Sequence, residues 1–172
     1  MKNLFFIMFA FFSFQINAQV AIGKSNVTNE NVSLEFGNDN KGIILPWVDS
    51  ETAVSGAVNG TIIYDTYAKK VKYLKNGTWF DLSVDTNGVV DTTLQDSKTD
   101  LPNAKVAIGK DAATDTTPGI LVLTDADKAM ILPKVASPHL NIKNPSAGMM
   151  VYDTAAHQLA VFNGTNWSFW KP

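Results

Sequence analysis

The stretch that decides the fold is Gly60-Thr-Ile-Ile-Tyr-Asp-Thr66, followed after a short polar break by Val71-Lys-Tyr-Leu-Lys-Asn-Gly-Thr-Trp-Phe-Asp-Leu82. Asn76 and Gly77 separate two runs in which apolar and polar residues alternate. Both residues tolerate the positive φ that a two-residue type I′ turn requires. The stretch therefore predicts a three-stranded antiparallel β-meander whose last two strands form a hairpin.

The hairpin turn also determines which residues face each other across the two strands. The predicted cross-strand pairs are Lys75–Thr78, Leu74–Trp79, Tyr73–Phe80, Lys72–Asp81 and Val71–Leu82. One face is then fully apolar, whereas the other face pairs the Lys72 ammonium with the Asp81 carboxylate. A slip by one residue would exchange the two faces, so the sequence specifies the register.

The same unit returns near the C-terminus as Gly148-Met-Met-Val-Tyr-Asp-Thr154, followed by Leu159-Ala-Val-Phe-Asn-Gly-Thr-Asn-Trp167. Relative to the tryptophan, its Asn-Gly pair lies one residue earlier than in the first copy. A two-residue turn there would not place Phe162 opposite Trp167. A four-residue loop from Asn163 to Asn166 restores that pair, and we predict the loop.

Motifs upstream of each meander repeat as well. Val20-Ala-Ile-Gly-Lys24 corresponds to Val106–Lys110, and Lys41-Gly-Ile-Ile-Leu-Pro46 corresponds to Lys128–Pro133. The sequence predicts a mainly β protein with little helix, built from two tandem β-meander repeats at residues 19–84 and 106–172. A polar linker at residues 85–105 joins them.

Each repeat is small enough that a core of its own is marginal. In the second repeat, strands Met149–Tyr152 and Leu159–Phe162 are apolar on both faces, which is typical of strands that are covered on both sides. One meander cannot provide that cover. We therefore expect a partner and predict a homo-oligomer.

The N-terminus has the three parts of a secretory signal peptide, predicted at residues 1–18. Lys2 supplies the positive charge, Leu4–Phe14 the apolar run, and Ile16-Asn-Ala18 the cleavage site. The apolar run is short for a membrane span, and no other run in the chain is long enough. We expect secretion to the periplasm, cell surface or extracellular space, without a transmembrane segment in the mature chain.

The composition excludes several classes of function. The 172 residues carry a formal net charge of −2, and neither cysteine nor arginine occurs among them. Without cysteine the chain has no disulfide framework, so packing or association must hold it together. Without arginine it lacks the side chain that most often reads bases in DNA. We expect no nucleic-acid partner.

These motifs resemble a repeat of secreted Bacteroidota proteins and phage tail-fibre-like proteins. The family pattern is approximately Val-Gly-Ile-Gly-Thr, Lys-Gly-Phe-Leu-Pro-Pro-Arg-Met, Gly-Leu-x-Val-Tyr-Asp-Thr and Asn-Gly-x-x-Trp, and nearly all of the mature chain is similar to it, twice. The resemblance implies an extracellular, fibrous, often trimeric β-structure without enzyme activity. Trp47 and Lys134 stand where the family usually has arginine, and Ala21 and Ala107 replace its first glycine.

The sequence thus predicts a non-enzymatic, secreted, structural or adhesive surface protein of the fibre type. The alternative is a carbohydrate-binding module, because exposed aromatic rings can stack on partly apolar partners such as sugars. The candidate stacking residues are Trp47, Tyr67, Trp79, Trp167 and Trp170. If these rings form a flat, exposed row, the protein is expected to bind a sugar or another glycan at the cell surface. If the rings are buried, a structural role is favoured.

Other reactive residue types do not form a site in the sequence. Three Asp-Thr-containing triplets are similar to a short O-glycosylation signal of Bacteroidota, with Thr92, Thr116 and Thr154 as acceptors. His139 and His157 lie in predicted loops without the spacing of a metal site. Asp65 and Asp153 each follow a strand, which favours a role in turns over catalysis. We predict no catalytic residue, cofactor or metal.

Overall fold

The structure is a computed structural model that describes residues 19–101 and 103–171. The predicted signal peptide at residues 1–18 lies outside this range. Strands account for 34% and helices for 7% of the described residues, which confirms the mainly β fold with little helix. No helix in this part of the chain is long and apolar enough to cross a membrane.

The first repeat has seven strands, with a 3₁₀ turn at Glu51–Ala53 between the fourth and the fifth. They are β1 (Val20–Ile22), β2 (Val32–Phe36), β3 (Ile43–Ile44), β4 (Trp47–Val48), β5 (Ile62–Asp65), β6 (Lys70–Lys75) and β7 (Thr78–Asp81). Strands β1 and β2 are parallel, and β4–β5–β6–β7 form one sheet in that order. The short helix α1 (Thr93–Asp96) lies in the predicted linker.

The second repeat has the same order of strands. They are β8 (Val106–Ile108), β9 (Leu121–Leu123), β10 (Ala129–Ile131), β11 (Lys134–Val135), β12 (Met149–Asp153), β13 (Gln158–Phe162) and β14 (Trp167–Trp170). Helix α2 (Pro138–Asn141) follows β11 and holds His139, which was expected in a loop. Strands β8 and β9 are parallel, and β11–β12–β13–β14 form a sheet that matches the β4–β7 sheet.

The predicted hairpin register is confirmed. Strands β6 and β7 pair Lys72 with Asp81, Tyr73 with Phe80, Leu74 with Trp79 and Lys75 with Thr78. Asn76 and Gly77 have φ of 52° and 73°, as a type I′ turn requires. The Lys72 Nζ atom lies 3.5 Å from an Asp81 carboxylate oxygen and 2.5 Å from one of Glu51.

The predicted four-residue loop of the second hairpin is also confirmed, since Phe162 pairs with Trp167. The Asn163 side-chain oxygen accepts hydrogen bonds from the backbone N–H groups of Thr165 and Asn166, at 2.9 and 2.7 Å. The Asn163 N–H donates to the carbonyl of Asn166 at 3.1 Å. The asparagine side chain thus accepts hydrogen bonds from backbone N–H groups inside the loop, which stabilises a loop longer than a two-residue turn.

The two aspartates act in turns, as predicted. Asp65 accepts from the N–H groups of Glu51 and Ala68, at 3.0 and 2.7 Å. Asp153 accepts from those of Ser137 and Ala155, at 3.0 and 2.9 Å. Although burial favours the protonated form, these N–H donors hold the pKa of Asp153 below its usual range. Asp65 thus joins β5 to the segment that follows β4, and Asp153 joins β12 to the segment that follows β11.

The sequence predicts three strands in each meander, but the structure adds a fourth, parallel strand to each sheet. Strand β4 pairs alongside β5 through Trp47 and Tyr64, and β11 pairs alongside β12 through Lys134 and Tyr152. Both added strands have only two residues and follow a proline. Two residues cannot display an alternating pattern, so the sequence does not reveal them.

The hydrophobic core of the described residues has two clusters, and one of them lies between the two meanders. One cluster joins Leu45, Tyr64 and Val71 of the first repeat to Met150 and Val161 of the second. A further cluster on the opposite face of β12 belongs to the second repeat alone: Val135, Ile142, Met149, Val151, Ala160 and Phe162. The sequence predicts that a second chain covers the two apolar strands of the second repeat. This expectation is wrong for the chain as described, because the same chain covers them. The first repeat covers one face of the apolar strands, and residues 135–142 cover the other.

We expect Gly77→Val to destabilise the protein by about 1–2 kcal/mol, because a side chain at positive φ is strained. A Cβ atom at Gly77 would meet no atom within 4 Å, so backbone strain alone accounts for this loss. Thermal unfolding measures it. Lys75→Val, at an exposed position of the same hairpin, serves as the control, and equal melting temperatures for Gly77→Val and wild type would refute the turn.

Candidate functional site: the interface between the two repeats

The two repeats exchange strands. Strand β3 of the first repeat pairs antiparallel with β12 of the second, Ile43 opposite Met150 and Ile44 opposite Met149. Strand β10 of the second repeat pairs parallel with β2 of the first, through Met130 and Leu34. Strands β3 and β10 lie in corresponding segments of the two repeats, Ile-Ile-Leu-Pro and Met-Ile-Leu-Pro. We call β3 and β10 the donor strands. Each donor strand thus extends a sheet of the other repeat.

Two glycines allow this close approach. A Cβ atom at Gly42 would lie 2.6 Å from Met149 Cγ and 2.7 Å from Val151 Cγ1. A Cβ atom at Gly148 would lie 2.8 Å from Tyr64 Cβ, and the φ of Gly148 is +76°. The Gly148 carbonyl accepts a hydrogen bond of 3.0 Å from the N–H of Leu45. The first donor strand can therefore dock only because Gly42 lacks a side chain, and Tyr64 can pack against the second repeat only because Gly148 lacks one.

Two aromatic side chains donate hydrogen bonds across the interface. The hydroxyl of Tyr64, which is fully buried, donates to the Asn163 carbonyl at 2.8 Å. The indole Nε1 of Trp47 donates to the Ala147 carbonyl at 2.9 Å. Burial, with a smaller effect from the neighbouring Asp65 charge, raises the pKa of Tyr64 to about 12, so the hydroxyl keeps its proton at neutral pH. These bonds satisfy two carbonyls in loops of the second repeat.

The end of the first repeat, Val84, and the start of the predicted linker also belong to the interface. Residues 84–88 run along the Asn163–Asn166 loop and the strand that follows it. The Val84 N–H donates to Ser168 Oγ at 2.9 Å, and the Thr165 hydroxyl donates to the Asn87 carbonyl at 3.0 Å. This part of the linker is therefore packed against the second repeat.

A charged group lies at the edge of the interface. Glu35 of β2 is 3% exposed and faces Ile131 of the second donor strand. Its carboxylate lies 2.7 Å from Lys24 Nζ and accepts bonds of 2.6 Å from the Thr28 N–H and hydroxyl. The Lys24 contact, with the Thr28 bonds, lowers the pKa of Glu35 from 4.5 to about 2. The second repeat has Val122 at the corresponding position, so this group belongs to the first repeat only.

The lowered pKa of Glu35 predicts a dependence of stability on pH. The contribution of an ionised carboxylate with a depressed pKa is fully present above its unfolded value, near 4.5, and is lost as the pH falls towards about 2. We expect Glu35→Gln to lower the free energy of unfolding at pH 7, and this difference from wild type to shrink below pH 4.5. Denaturant unfolding at several pH values measures it; a difference that does not change with pH would contradict the assignment.

The candidate stacking residues lie on two different sheets. Trp47 and Trp79 belong to the two edge strands of the β4–β7 sheet, and Trp167 and Trp170 belong to β14. Tyr67 lies in a turn and is 86% exposed. Trp167 packs against Phe162, with ring centroids 5.2 Å apart, while the Trp170 indole donates to the Leu82 carbonyl at 2.6 Å. The structure does not bring the five rings together into one row.

The remaining candidates are dispersed over the surface. Thr92 precedes α1, Thr116 is exposed before β9, and Thr154 follows β12, where its N–H donates to the Val135 carbonyl. His139 and His157 are both exposed, and the His139 ring packs edge-on against Phe169. Within residues 19–101 and 103–171, no group of histidine and acidic side chains is arranged to hold a metal ion.

Apart from Trp47 and Asn163, the sequence does not single out the residues that build the interface. Gly42, Gly148 and the Tyr64 hydroxyl all contact partners about 100 positions away, where no local pattern points. One signal did exist, namely that Gly42 corresponds to Ala129 in the otherwise similar second copy. Such a difference between copies indicates that the two donor strands dock in different surroundings.

Residues 107–171 match the family model of the phage tail-like trimerisation region. No curated protein and no solved structure matches the chain. The matched range coincides with nearly all of the second repeat, including its donor strand and meander. The second repeat is therefore similar to a phage tail-like trimerisation region, which supports the tail-fibre-like resemblance.

Proposed function

We propose that the protein is a non-enzymatic, fibre-like structural component that assembles as a homotrimer. The observation that carries the proposal is the match of residues 107–171 to a phage tail-like trimerisation region. The strand exchange supports it, because the same chain already docks one repeat on another through main-chain pairing. Pairing of this kind is a general mode of association between β-proteins.

We further propose that the protein is secreted through the signal peptide and acts at the cell surface, in an adhesive or scaffolding role. The N-terminal motif at residues 1–18 and the resemblance to secreted repeat proteins support this location. The large aromatic rings that pack against neighbouring residues, such as Trp47 and Trp167, favour a structural role for these side chains over sugar stacking.

The dependence of thermal stability on protein concentration tests the homotrimer. Because folding and association are then linked, the melting temperature should rise as the concentration of residues 19–172 increases. The measurement extends over about two decades of concentration, since mass action shifts stability with the logarithm of concentration. A melting temperature that does not change over this range would contradict the proposal.

A further inference from the structure

The two repeats differ in which strand edges are paired after the exchange of donor strands. Strand β2 accepts a donor strand, β10, but its counterpart β9 pairs only with β8 in the described part of the chain. Strand β12 accepts the donor strand β3 at Met149 and Met150. The corresponding positions are Thr61, just before β5, and Ile62, and in the described pairings no strand faces them on the edge of β5 that carries β4. One acceptor edge of each type is therefore open.

The donor strands have complementary open edges. Strand β3 pairs only with β12, and β10 pairs only with β2, within residues 19–101 and 103–171. Each donor strand thus uses one edge and leaves the other unpaired. Unpaired edges readily take up a strand from another chain.

The open edges border the same gap between the repeats. A groove of about 1820 Å³ is lined by β1 and β3 of the first repeat and by β8 and β9 of the second. A small apolar cavity of about 390 Å³ is lined by Ile62 of β5 and by Met130 of β10, among other residues. Around the groove, Ile44, Val106 and Leu121 are 54%, 56% and 47% exposed. Large apolar side chains concentrated along unpaired strand edges mark a surface that another protein covers.

We propose that a second copy of this chain places one of its donor strands in this gap, paired in parallel with β9. The occupant is identified by continuity with the existing interface, because β9 is the counterpart of the strand that already accepts a donor strand. The strand β10 of the same repeat cannot serve, because parallel strands need a long crossover connection and only five residues separate β9 from β10, fewer than the nine that join the parallel strands β1 and β2.

The proposal rests on the homotrimer and specifies how it is built. In a cyclic homotrimer each chain accepts a donor strand of one neighbour at this gap and provides one to the other neighbour. All three gaps are then filled alike, while each chain keeps its own exchange of donor strands.

The corresponding pairs give the expected register. In the chain, Met130 of the donor strand lies opposite Leu34 of β2, and Ile131 lies opposite Glu35. The matching position to Leu34 is Leu121, because Val20 faces Leu34 in β1–β2 and Val106 faces Leu121 in β8–β9. Leu121 should thus face Ile43 or Met130 of the second copy, and Val122 should face the next donor residue.

Disulfide cross-linking tests the proposal, and the absence of native cysteine leaves no background. Two double variants combine Leu121→Cys with either Ile43→Cys or Met130→Cys. We expect at least one of them, after mild oxidation, to give covalent dimers and trimers on denaturation without reductant. The matched control replaces Leu121→Cys by Val106→Cys, which lines the same groove one strand further away. Cα atoms two strands apart are separated by about 9–10 Å, beyond the reach of a disulfide.

A second pair of variants guards against misfolding. Val122→Cys with Ile44→Cys or Ile131→Cys probes the next position in the same register, and circular dichroism of the reduced proteins checks that they fold. Cross-linked chains in either set, absent from the Val106→Cys control, support the proposal. A native trimer that gives no cross-link in any folded variant overturns this inference and leaves the homotrimer standing. A single-chain mass overturns both.

Discussion

Replacing Val151 by aspartate is expected to abolish folding of the chain. Val151 is fully buried in β12, between the side chains of the second core cluster, and lies opposite Ala160 of β13. A carboxylate there would be cut off from water, and an unpaired buried charge costs several kcal/mol, of order 3–5. That is comparable to the whole stability of a small domain, about 5–15 kcal/mol. Circular dichroism and thermal unfolding measure the loss.

Val84→Asp is the matched control, because it makes the same exchange at a residue that is 67% exposed. It should change the free energy of unfolding by at most about 0.5 kcal/mol. Cooperative unfolding of Val151→Asp at the wild-type temperature would show that β12 is not buried within the chain as described.

The second large effect is expected for Gly148→Ala. The added Cβ atom would lie 2.8 Å from Tyr64 Cβ and 3.0 Å from Tyr64 Cγ. Overpacking of this kind costs about 1–3 kcal/mol, and the strain of a left-handed backbone adds about 1–2 kcal/mol. We therefore expect a total loss of about 2–5 kcal/mol in denaturant unfolding, because both the turn and the contact between the repeats are disturbed.

Gly77→Ala separates the two causes. Its φ of +73° matches the +76° of Gly148, but nothing lies within 4 Å of an added Cβ atom. It should lose only the backbone contribution of about 1–2 kcal/mol. Equal losses for Gly148→Ala and Gly77→Ala would mean that Tyr64 does not pack against Gly148, and the description of the interface would be wrong.

The sequence predicts what is local and misses what is distant. The β6–β7 register follows from Asn76-Gly77 and the alternation on either side, and the Asn163–Asn166 loop follows from the spacing to Trp167. Both features depend on neighbours within ten positions. The exchange of donor strands depends on residues about 100 positions apart, and their docking depends on the shape of the partner surface. Local pattern therefore gives each repeat but not how the repeats combine.

The apolar strands of the second repeat illustrate the same limit. Their two-faced pattern correctly indicates that both faces are covered, but it does not identify what covers them. The first repeat supplies Tyr64 and Val71 to one face, so burial of these strands is no longer an argument for a second chain. The argument for association now rests on the similarity of residues 107–171 to a trimerisation region and on the open edges of β5 and β9.

The most direct test of the central claim is the native mass of the protein from residue 19 onward, measured by light scattering after size exclusion at micromolar concentration. Assembly through the trimerisation-like second repeat predicts a mass of three chains, and dilution should shift it only to single chains. A mass of one chain at every concentration, with cooperative unfolding retained, would contradict the account.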